Sequence, residues 1–483
     1  MAKIKVLFVT SEVAPVIKTG GLADVSSALP AALRTIGVDV RVFVPGYTQV
    51  IAQLFNPKRV STLTVLPGFP PVEILSCKLP NGTPLLVLDC PSLYQREGGP
   101  YQDENGQDWP DNAQRFGLFS KVAALLADNE SPLAWRPDVL HCNDWQTALA
   151  PAYLHFSPST VRSLVTIHNL AFQGNFAPTT VQTLQLSASC FSVDGAEFYG
   201  NLSFLKAGLF YADHITTVSP NYAREIQQAD LGFGMQGLLS ERRDHLSGIL
   251  NGIDTDEWDP ANDPHLSKKY SVAHMAGKAA NKQALQSKMG LNLEPETPLL
   301  GVVSRFTQQK GLDLLLEIAP RLIELPVQLA LLGHGDVKVQ QAARELALRY
   351  PGKIATVIGF NEELSHQIEA GADMFVMPSR FEPCGLNQLY SQRYGTPPIV
   401  HATGGLVDSV VDCTAETLKN GSASGFMFKG MTTENLYAAI QRAVTLYHNT
   451  RQWKTLCKNC MSKNFSWSAS AEAYLAIYSR LLS

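Results

Sequence analysis

Short apolar runs alternate with longer amphipathic stretches along almost the whole chain. The runs predict buried strands at residues 6–9, 40–44, 85–88, 139–141, 164–167, 215–218, 299–303, 328–332, 355–358, 374–377 and 398–400. Stretches with helical spacing of apolar residues, such as 22–36 and 314–323, lie between many of them. Such alternation is typical of parallel sheets with helical crossovers. The pattern therefore predicts an α/β fold of doubly wound sheets.

The predicted strands fall into two groups, separated near Leu-Asn-Gly-Ile-Asp at 250–254 and the polar stretch 258–264. We predict an N-terminal domain over 1–250, a second domain over 251–465, and a tail helix over 466–483 that packs back on the first domain. Thr-Gly-Gly-Leu-Ala-Asp at 19–24 returns as Thr-Gly-Gly-Leu-Val-Asp at 403–408, which indicates two domains of similar construction. Such sheets bind ligands beyond the carboxyl ends of their strands, so we expect the domains to face a central cleft.

Composition and charge narrow the class of partner. The 483 residues are 45% hydrophobic and 17% charged, with a net charge of −4 and no long basic block, which argues against nucleic acid and membrane surfaces as partners. The first apolar run is too short for a signal peptide, and the eight cysteines are scattered, so we expect a reducing, cytoplasmic location. Cys457 and Cys460 form a CxxC without a second pair, and we interpret them as two thiols on a terminal helix.

A glycine-containing loop follows the first predicted strand and opens a helix. It reads Lys18-Thr-Gly-Gly-Leu-Ala-Asp24 and so places Gly20 and Gly21 at the helix start. Glycines allow a close backbone approach, and the N–H groups at a helix start attract phosphate. A plain turn with a solvated lysine fits the same residues, so this loop alone leaves both interpretations open.

Two loops of the second domain carry charged side chains after predicted strands. Arg305 and Lys310 stand in a strand-to-helix loop, where they could clamp a diphosphate and stabilise a departing nucleotide. Glu382 stands between Phe and Pro, and could accept sugar hydroxyls. The amides of Cys384, Gly385, Leu386 and Asn387 begin the next helix and could bind phosphate or sugar. Solvated surface cations and an acidic helix cap are the structural explanations that remain open.

Two further segments follow strands of the first domain. His-Cys-Asn-Asp-Trp-Gln at 141–146 contains Asp144, and Thr-Ile-His-Asn at 166–169 contains His168 and Asn169. An acid, a histidine and aromatic residues suit sugar recognition, although a lone histidine is more often packed in the core. Asp144 and Glu382 could also form the carboxylate pair of a glycosidase, but the cationic loops would then have no purpose. We find no pattern of metal ligands and predict neither a metal ion nor a cofactor.

In combination, these segments resemble the bacterial glycogen synthases and plant starch synthases over essentially the whole chain. Similar segments occur in the same order: Ser-Glu-Val-Ala-Pro at 11–15, the 18–24 loop, 141–146, Ile-His-Asn-Leu-Ala-Phe-Gln-Gly at 167–174, Phe-Leu-Lys-Ala-Gly at 204–208, 250–254, Ser-Arg at 304–305, Gln-Lys-Gly-Leu-Asp at 309–313, and Arg-Phe-Glu-Pro-Cys-Gly-Leu at 380–386. The resemblance implies a GT-B fold, with two Rossmann-like domains, and glucose transfer from ADP-glucose to glycogen or a malto-oligosaccharide with retention and without a metal.

The resemblance also implies roles for individual residues. Arg305 and Lys310 would hold the phosphates, while Glu382 and the 384–387 loop would bind glucose. His168 would lie beside the glucose ring and Asp144 on the acceptor side. The remaining residues that the resemblance places at the substrates are Lys18, Gly20, Gly21, Asp24, Asn169, Asn251 and, near the adenine, Phe360.

The chain departs from the family pattern at two places. Asn387 replaces a usual Thr, and His401-Ala402 stand where two arginines are common, which removes positive charge near the donor. The competing hypotheses are a related GT-B transferase that uses a UDP-sugar, a catalytically inactive glucan-binding protein, and a glucan phosphorylase with pyridoxal phosphate. The inactive protein would be expected to lose Glu382, Lys310 or His168, and all three are present.

Overall fold

The computed structural model describes residues 3–483 and divides the chain into two compact units. Unit 1 comprises Met1–Gly252 with Trp467–Ser483, and unit 2 comprises Ile253–Ser466. Met1 and Ala2, which the predicted first domain includes, lie outside the described residues. Every apolar run that predicts a strand overlaps a strand of the structure. The predicted α/β class is therefore confirmed in each unit.

Unit 1 is built around a large, mainly parallel sheet. In chain order its elements are β1 (Lys5–Val9), α1 (Gly21–Thr35), β2 (Asp39–Pro45), α2 (Thr48–Gln53), β3 (Lys58–Leu63), β4 (Val72–Lys78), β5 (Pro84–Asp89), α3 (Pro91–Tyr94), α4 (Asn112–Ala127), β6 (Val139–Asn143), α5 (Ala150–His155), β7 (Arg162–Ile167), β8 (Asn175–Phe176), α6 (Thr180–Thr183), β9 (Glu197–Phe198), β10 (Asn201–Ser203), α7 (Phe204–Tyr211), β11 (His214–Thr217), α8 (Pro220–Glu225), α9 (Gln236–Glu241) and β12 (Leu246–Gly248). Short 3-10 turns lie at Ala188–Cys190 and Arg243–His245.

The strand order of the main sheet is β12-β11-β7-β6-β1-β2-β5-β4-β3. The strands from β12 to β5 are parallel, whereas β4 and β3 add an antiparallel edge. The four apolar side chains of β1 at 6–9 are fully buried, as expected for a central parallel strand covered on both faces. A small antiparallel sheet of order β8-β10-β9 is separate from the main sheet.

Unit 2 repeats the α/β construction with a wholly parallel sheet of order β15-β14-β13-β16-β17-β18. Its elements are α10 (Ala276–Met289), β13 (Leu299–Phe306), α11 (Leu312–Leu322), β14 (Gln328–Gly335), α12 (Val337–Arg349), β15 (Ile354–Ile358), α13 (Glu362–Gly371), β16 (Met374–Met377), α14 (Asn387–Arg393), β17 (Pro398–His401), α15 (Gly404–Ser409), α16 (Ala415–Lys419), β18 (Phe426–Phe428), α17 (Thr433–Tyr447) and α18 (Thr450–Met461). A 3-10 turn lies at Gln308–Lys310.

The CxxC pair lies on α18 inside the core of unit 2. Cys457 and Cys460 are both buried, and the Cys460 thiol contacts the Ser424 carbonyl oxygen at 3.2 Å. Burial raises the pKa of both thiols, to about 12 for Cys457. Because metal binding and redox exchange need the thiolate, the structure favours packing as the role of this pair.

The last helix, α19 (Trp467–Leu482), belongs to unit 1 and packs against α1. The Tyr478 hydroxyl lies 2.7 Å from Nδ1 of the fully buried His141 on β6. The Ser470 hydroxyl donates to the carbonyl of Leu250 at 2.6 Å. These contacts attach the end of the chain to the first unit. Among residues 3–483, no helix is both long enough and apolar enough to cross a membrane.

Candidate active site

The predicted donor-binding residues of unit 2 follow strands at one edge of its parallel sheet. Arg305 is exposed and pairs in register with His334 of β14. It lies within β13, which continues to Phe306, so our expectation that Arg305 stands in a loop was wrong. Phe360 follows β15 and is 74% exposed. Glu382 follows β16, so the carboxyl ends of three strands present the predicted residues at the same edge.

Lys310 and Glu382 form an ion pair within this edge. The Lys310 ammonium lies 2.6 Å from Glu382 Oε2, and the Ser379 hydroxyl donates to the same oxygen at 2.9 Å. The side chain of Lys310 is 18% exposed and that of Glu382 is 7% exposed. The ion pair therefore holds Lys310 and Glu382 in fixed positions next to each other. By sequence, Lys310 is assigned to the phosphates and Glu382 to the glucose.

The loops that carry this pair are joined along their length. The Arg380 N–H donates to the Gln309 carbonyl at 2.8 Å, and the Arg380 guanidinium forms a fork to both carboxylate oxygens of Asp313. Gly311 has a φ of +64°, and a Cβ there would lie 1.9 Å from the Pro378 carbonyl oxygen. A residue with a side chain would push the two loops apart, which explains glycine after Lys310.

The second Thr-Gly-Gly copy supports the backbone of Glu382. Gly404 has a φ of +46°, and a Cβ there would lie 1.9 Å from the Glu382 carbonyl oxygen. The N–H of Gly405 donates to that same carbonyl at 3.1 Å. His401 donates from Nδ1 to the Ser379 carbonyl at 2.9 Å, and burial lowers its pKa. This histidine therefore bonds to the backbone of the Glu382 loop as a neutral ring.

The predicted glucose loop turns sharply into α14. Cys384 is buried, Gly385 has a φ of +72°, and Leu386 caps the helix that begins at Asn387. The Asn387 side chain donates from Nδ2 to the Val303 carbonyl of β13 at 2.8 Å. Asn387, which replaces the usual Thr of the family, thus adds a hydrogen bond between the predicted glucose loop and β13, the strand that carries Arg305.

In unit 1, the first Thr-Gly-Gly copy is held by a buried carboxylate, that of Glu12. The N–H groups of Thr19 and Gly20 donate to Glu12 Oε2 at 2.5 and 3.3 Å, and the Thr19 hydroxyl donates to Oε1 at 2.7 Å. The sequence left open whether the amides of this loop bind phosphate or form a plain turn, and in the structure those of Thr19 and Gly20 bond to Glu12. Lys18 pairs with Asp24 at 2.9 Å, one turn into the helix that begins at Gly21.

Sequence reasoning gave Glu12 no role. It is 3% exposed and also accepts the Tyr101 hydroxyl at 2.5 Å, while Ser11 lies 2.8 Å from that hydroxyl. One feature of the sequence could have indicated a role for Glu12. It follows the buried strand β1 closely, where a carboxylate is stable only if polar groups bond to it. Thr19 is 7 residues away and Tyr101 is 89 residues away, and no local pattern links either of them to Glu12, so only the fold identifies these partners.

Asp144, His168 and Asn169 come together beyond β6 and β7. Asp144 Oδ1 accepts the N–H groups of His168 and Asn169 at 2.7 and 3.4 Å, and Asp144 has a left-handed φ of 55°. His168 Nε2 lies 2.9 Å from the Asn143 side-chain oxygen, and the Asn143 amide donates to the Val9 carbonyl at 2.9 Å. Three strand ends are thereby linked.

Burial sets the charge of this group. It raises the pKa of Asp144 to about 7, although the backbone N–H donors from 168 and 169 oppose the shift. It lowers the pKa of His168 to about 3, so the imidazole is neutral at physiological pH and can donate or accept a hydrogen bond. Asn251, also in unit 1, is buried, and its side-chain oxygen lacks a hydrogen-bond partner among residues 3–483.

Comparison with known proteins identifies both units. Residues 5–241 match the family model described as the starch synthase catalytic domain, and residues 286–456 match that of glycosyl transferases group 1. A glycogen synthase of Nitrosomonas eutropha is 60% identical over 99% of this chain and 96% of its own length. One from Nitrosospira multiformis is 55% identical over 99% of this chain and 97% of its own length. The chain belongs to the glycogen synthase family.

One solved structure agrees with this membership of the glycogen synthase family, and a more distant one shares the fold. The catalytic domain of starch synthase IV from Arabidopsis thaliana, bound to ADP and acarbose, is 31% identical, with a TM-score of 0.89 and complete coverage of both chains. Sucrose-phosphate synthase from Thermosynechococcus elongatus is 18% identical, with a TM-score of 0.62 over 99% of both chains, and so shares the fold. The predicted family and the predicted fold class, with two Rossmann-like domains, are confirmed. The chain is a glycosyltransferase.

Proposed function

We propose that this chain elongates glycogen by transferring glucose from ADP-glucose to the non-reducing end of an α-1,4-glucan with retention. The observation that carries the proposal is the Lys310–Glu382 pair, held between joined loops at the same sheet edge as the exposed Arg305. It presents cations and a carboxylate at one sheet edge, which suits a sugar attached to a diphosphate. The ADP in the Arabidopsis starch synthase IV structure supports an adenine nucleotide as the carrier.

Arg305 and Lys310 are assigned to the diphosphate. The guanidinium offers a planar fork to phosphate oxygens, and the ammonium offers a compact point charge. Both charges stabilise the negative charge that grows on the leaving ADP, and Lys310, which its ion pair holds in place, needs little reorganisation. Their charge supports our expectation that the reaction needs no metal ion or cofactor. Phe360, exposed beyond β15, is assigned to the adenine face.

Glu382 and the residues after it are assigned to the glucose. Lys310 and Ser379 both contact Oε2 of Glu382, so Oε1 is the oxygen that we assign to a glucose hydroxyl. The amides at 384–387 add donors at the entry to α14. Since the Asn387 side chain bonds to Val303, its backbone N–H is the group assigned to the sugar.

The groups of unit 1 are assigned to orientation. The neutral ring of His168 can bond to a glucose hydroxyl, and Asp144 holds the backbone of His168 and Asn169 in place on the acceptor side. Lys18, with its partner Asp24, and the Gly20-Gly21 turn are assigned to the diphosphate side of the donor. Asn251, with its unpartnered buried oxygen in the described chain, is assigned to a substrate hydroxyl.

The chemical step is a substitution on one face of the sugar. The acceptor 4-hydroxyl forms a bond to the anomeric carbon as the bond from that carbon to the phosphate oxygen breaks. A phosphate oxygen of the departing ADP takes the hydroxyl proton, so no side-chain base is required; because the acceptor hydroxyl attacks the anomeric carbon directly, we assign no side-chain nucleophile. A cytoplasmic location is proposed because all eight cysteines of the sequence occur as free thiols.

The test is glucose transfer to a glycogen primer with ADP-glucose and UDP-glucose supplied side by side. We expect preference for ADP-glucose, with the Lys310→Met variant as the matched blank. Equal or better use of UDP-glucose would overturn the donor assignment and keep the family. Absence of transfer from either donor by the folded chain would overturn the proposed activity.

A further inference from the structure

A cluster of two carboxylates and one imidazole lies in unit 2, around the start of α13. The side chains of Glu257, Glu362 and His366 each offer one ligand atom, and these atoms all lie within 4.8 Å of one another. Glu362 and His366 are one helical turn apart, while Glu257 comes from the segment that precedes α10. None of the three takes part in the proposed transfer reaction.

The hydrogen bonding of His366 directs Nε2 towards the carboxylates. Nδ1 of His366 lies 2.8 Å from Asp263 Oδ2, which also accepts the Tyr394 hydroxyl at 2.6 Å. Because an ionised carboxylate only accepts, Nδ1 carries a hydrogen, so the lone pair of the deprotonated ring lies on Nε2. A carboxylate on the far nitrogen of a metal-binding histidine is a recurrent second layer of zinc sites.

Packing fixes the plane of the ring. Trp258 stacks on His366 with ring centroids 3.9 Å apart and on Tyr390 with centroids 3.7 Å apart. His366 and Asp263 are 3% and 0% exposed at their side chains, whereas Glu257 is exposed and Glu362 is 36% exposed. One ligand is therefore rigid, and the other two stand at the surface, where an ion can enter.

The distance between His366 and Glu362 is longer than a hydrogen bond and close to the distance between two ligands of one tetrahedral ion. Nε2 of His366 lies 3.8 Å from Oε1 of Glu362, which is too long for a hydrogen bond. Zinc bonds of about 2.0–2.2 Å to nitrogen and oxygen place neighbouring tetrahedral ligands about 3.3–3.6 Å apart. A shift of a few tenths of an ångström in an exposed glutamate side chain closes that difference.

We propose that Glu257, Glu362 and His366 bind one divalent transition-metal ion of the Zn²⁺ class, with water completing the coordination. An imidazole beside carboxylates favours Zn²⁺, Co²⁺ or Ni²⁺ over Mg²⁺, which prefers oxygen ligands alone. The bound ion joins the segment around Glu257 to the start of α13. It stabilises unit 2 and is separate from the groups assigned to glucose transfer.

A proton competes for the same site. Burial alone lowers the pKa of His366, but its hydrogen bond to Asp263 and the negative charge of Glu362 raise the pKa to about 9 in total. Metal uptake needs the lone pair of Nε2 and displaces any proton held there, so binding is measured over a range of pH. The competing structure is an imidazolium held between the same two carboxylates.

The experiment titrates the chelator-treated, full-length chain with Zn²⁺ by calorimetry and with Co²⁺ by tryptophan quenching. We expect one ion per chain, a higher Tm, and quenching of Trp258 because it stacks on the ligand ring. Glu257→Gln and Glu362→Gln should each weaken binding at least about tenfold, since these surface carboxylates can be neutralised without loss of the fold.

The matched control is Glu363→Gln, which neutralises the adjacent residue on the same helix, an exposed partner of Lys288. It should leave metal binding unchanged. Absence of binding at about 100 μM Zn²⁺ would overturn the proposal in favour of the imidazolium. Binding that Glu257→Gln and Glu362→Gln both leave unchanged would also overturn it, because the ion would then lie elsewhere.

Discussion

Removal of Lys310 should destabilise unit 2 as well as stop the reaction. In Lys310→Met, Glu382 keeps the Ser379 hydroxyl and loses its cation, while its side chain is only 7% exposed. Breaking a buried ion pair from one side costs about 3–5 kcal/mol, since a charge remains buried without a partner. The Lys310 side chain is 18% exposed, so we expect the lower limit, about 3 kcal/mol of unfolding free energy.

A double variant separates the cost of the unpaired charge from the loss of packing. Lys310→Met with Glu382→Gln leaves two neutral side chains of nearly native shape, so most of the lost stability should return. The control cycle uses Lys288→Met and Glu363→Gln, whose side chains are 43% and 53% exposed. Exposed pairs contribute little, so the coupling in that cycle should be about 0.5 kcal/mol or less.

The assays are denaturant unfolding at an unchanged m-value and turnover with ADP-glucose and glycogen. Turnover should fall at least about 100-fold in both single variants and in the double variant, equivalent to about 2.7 kcal/mol of barrier. Near-normal turnover in either folded single variant would refute the assigned roles. Stability losses that simply add in the double variant would refute the energetic coupling of the pair.

Three further predictions concern the loops of each unit. Gly404→Ala should lower the free energy of unfolding by at least about 2 kcal/mol and reduce turnover. In Gly20→Ala the added Cβ meets no atom within 4 Å, so the free energy of unfolding should change by less than about 0.5 kcal/mol in the same denaturation assay. Glu12→Gln should raise the KM for ADP-glucose about tenfold more than it changes kcat, because it loosens the Thr19 loop; an unchanged KM would contradict this positioning role. Burial lowers the pKa of His168 to about 3 from 6.5, so its contribution to stability is present above pH 6.5 and is lost as the pH falls towards 3. His168→Gln should flatten that part of the stability curve, and an unchanged slope would show that other groups cause it.

The architecture could be predicted from the sequence because buried parallel strands are continuous apolar runs. The run at 6–9 predicts β1, and the run at 374–377 has the same limits as β16. The antiparallel strands β3 and β4 were missed; β3, at the edge of the sheet, is mostly exposed and carries Lys, Arg, Ser and Thr in place of an apolar run. The short strands β8, β9 and β10 were missed because two or three residues give no periodic signal.

The residues of the candidate site could be predicted from the sequence, but the contacts between their side chains could not. Glu382 and His168 could be selected because each follows a buried strand, and parallel sheets bind ligands beyond the carboxyl ends of their strands. Lys310 and Glu382 are 72 residues apart, and no local pattern shows that they form one ion pair. The two Thr-Gly-Gly copies are nearly identical in sequence, yet Gly20 is extended at a φ of −162° and Gly404 is left-handed.

The sequence by itself therefore determined the fold class, the strands that carry chemistry and the family, because these depend on local residue order. Only the tertiary structure decided which charged side chains bond to which partners. Glu12 turns the amides at 19–20 inwards, and Ser379 and Lys310 fix one oxygen of Glu382. The reason is physical: a buried charge is stable only beside its partner, and the fold, not the sequence interval, brings partners within hydrogen-bond distance.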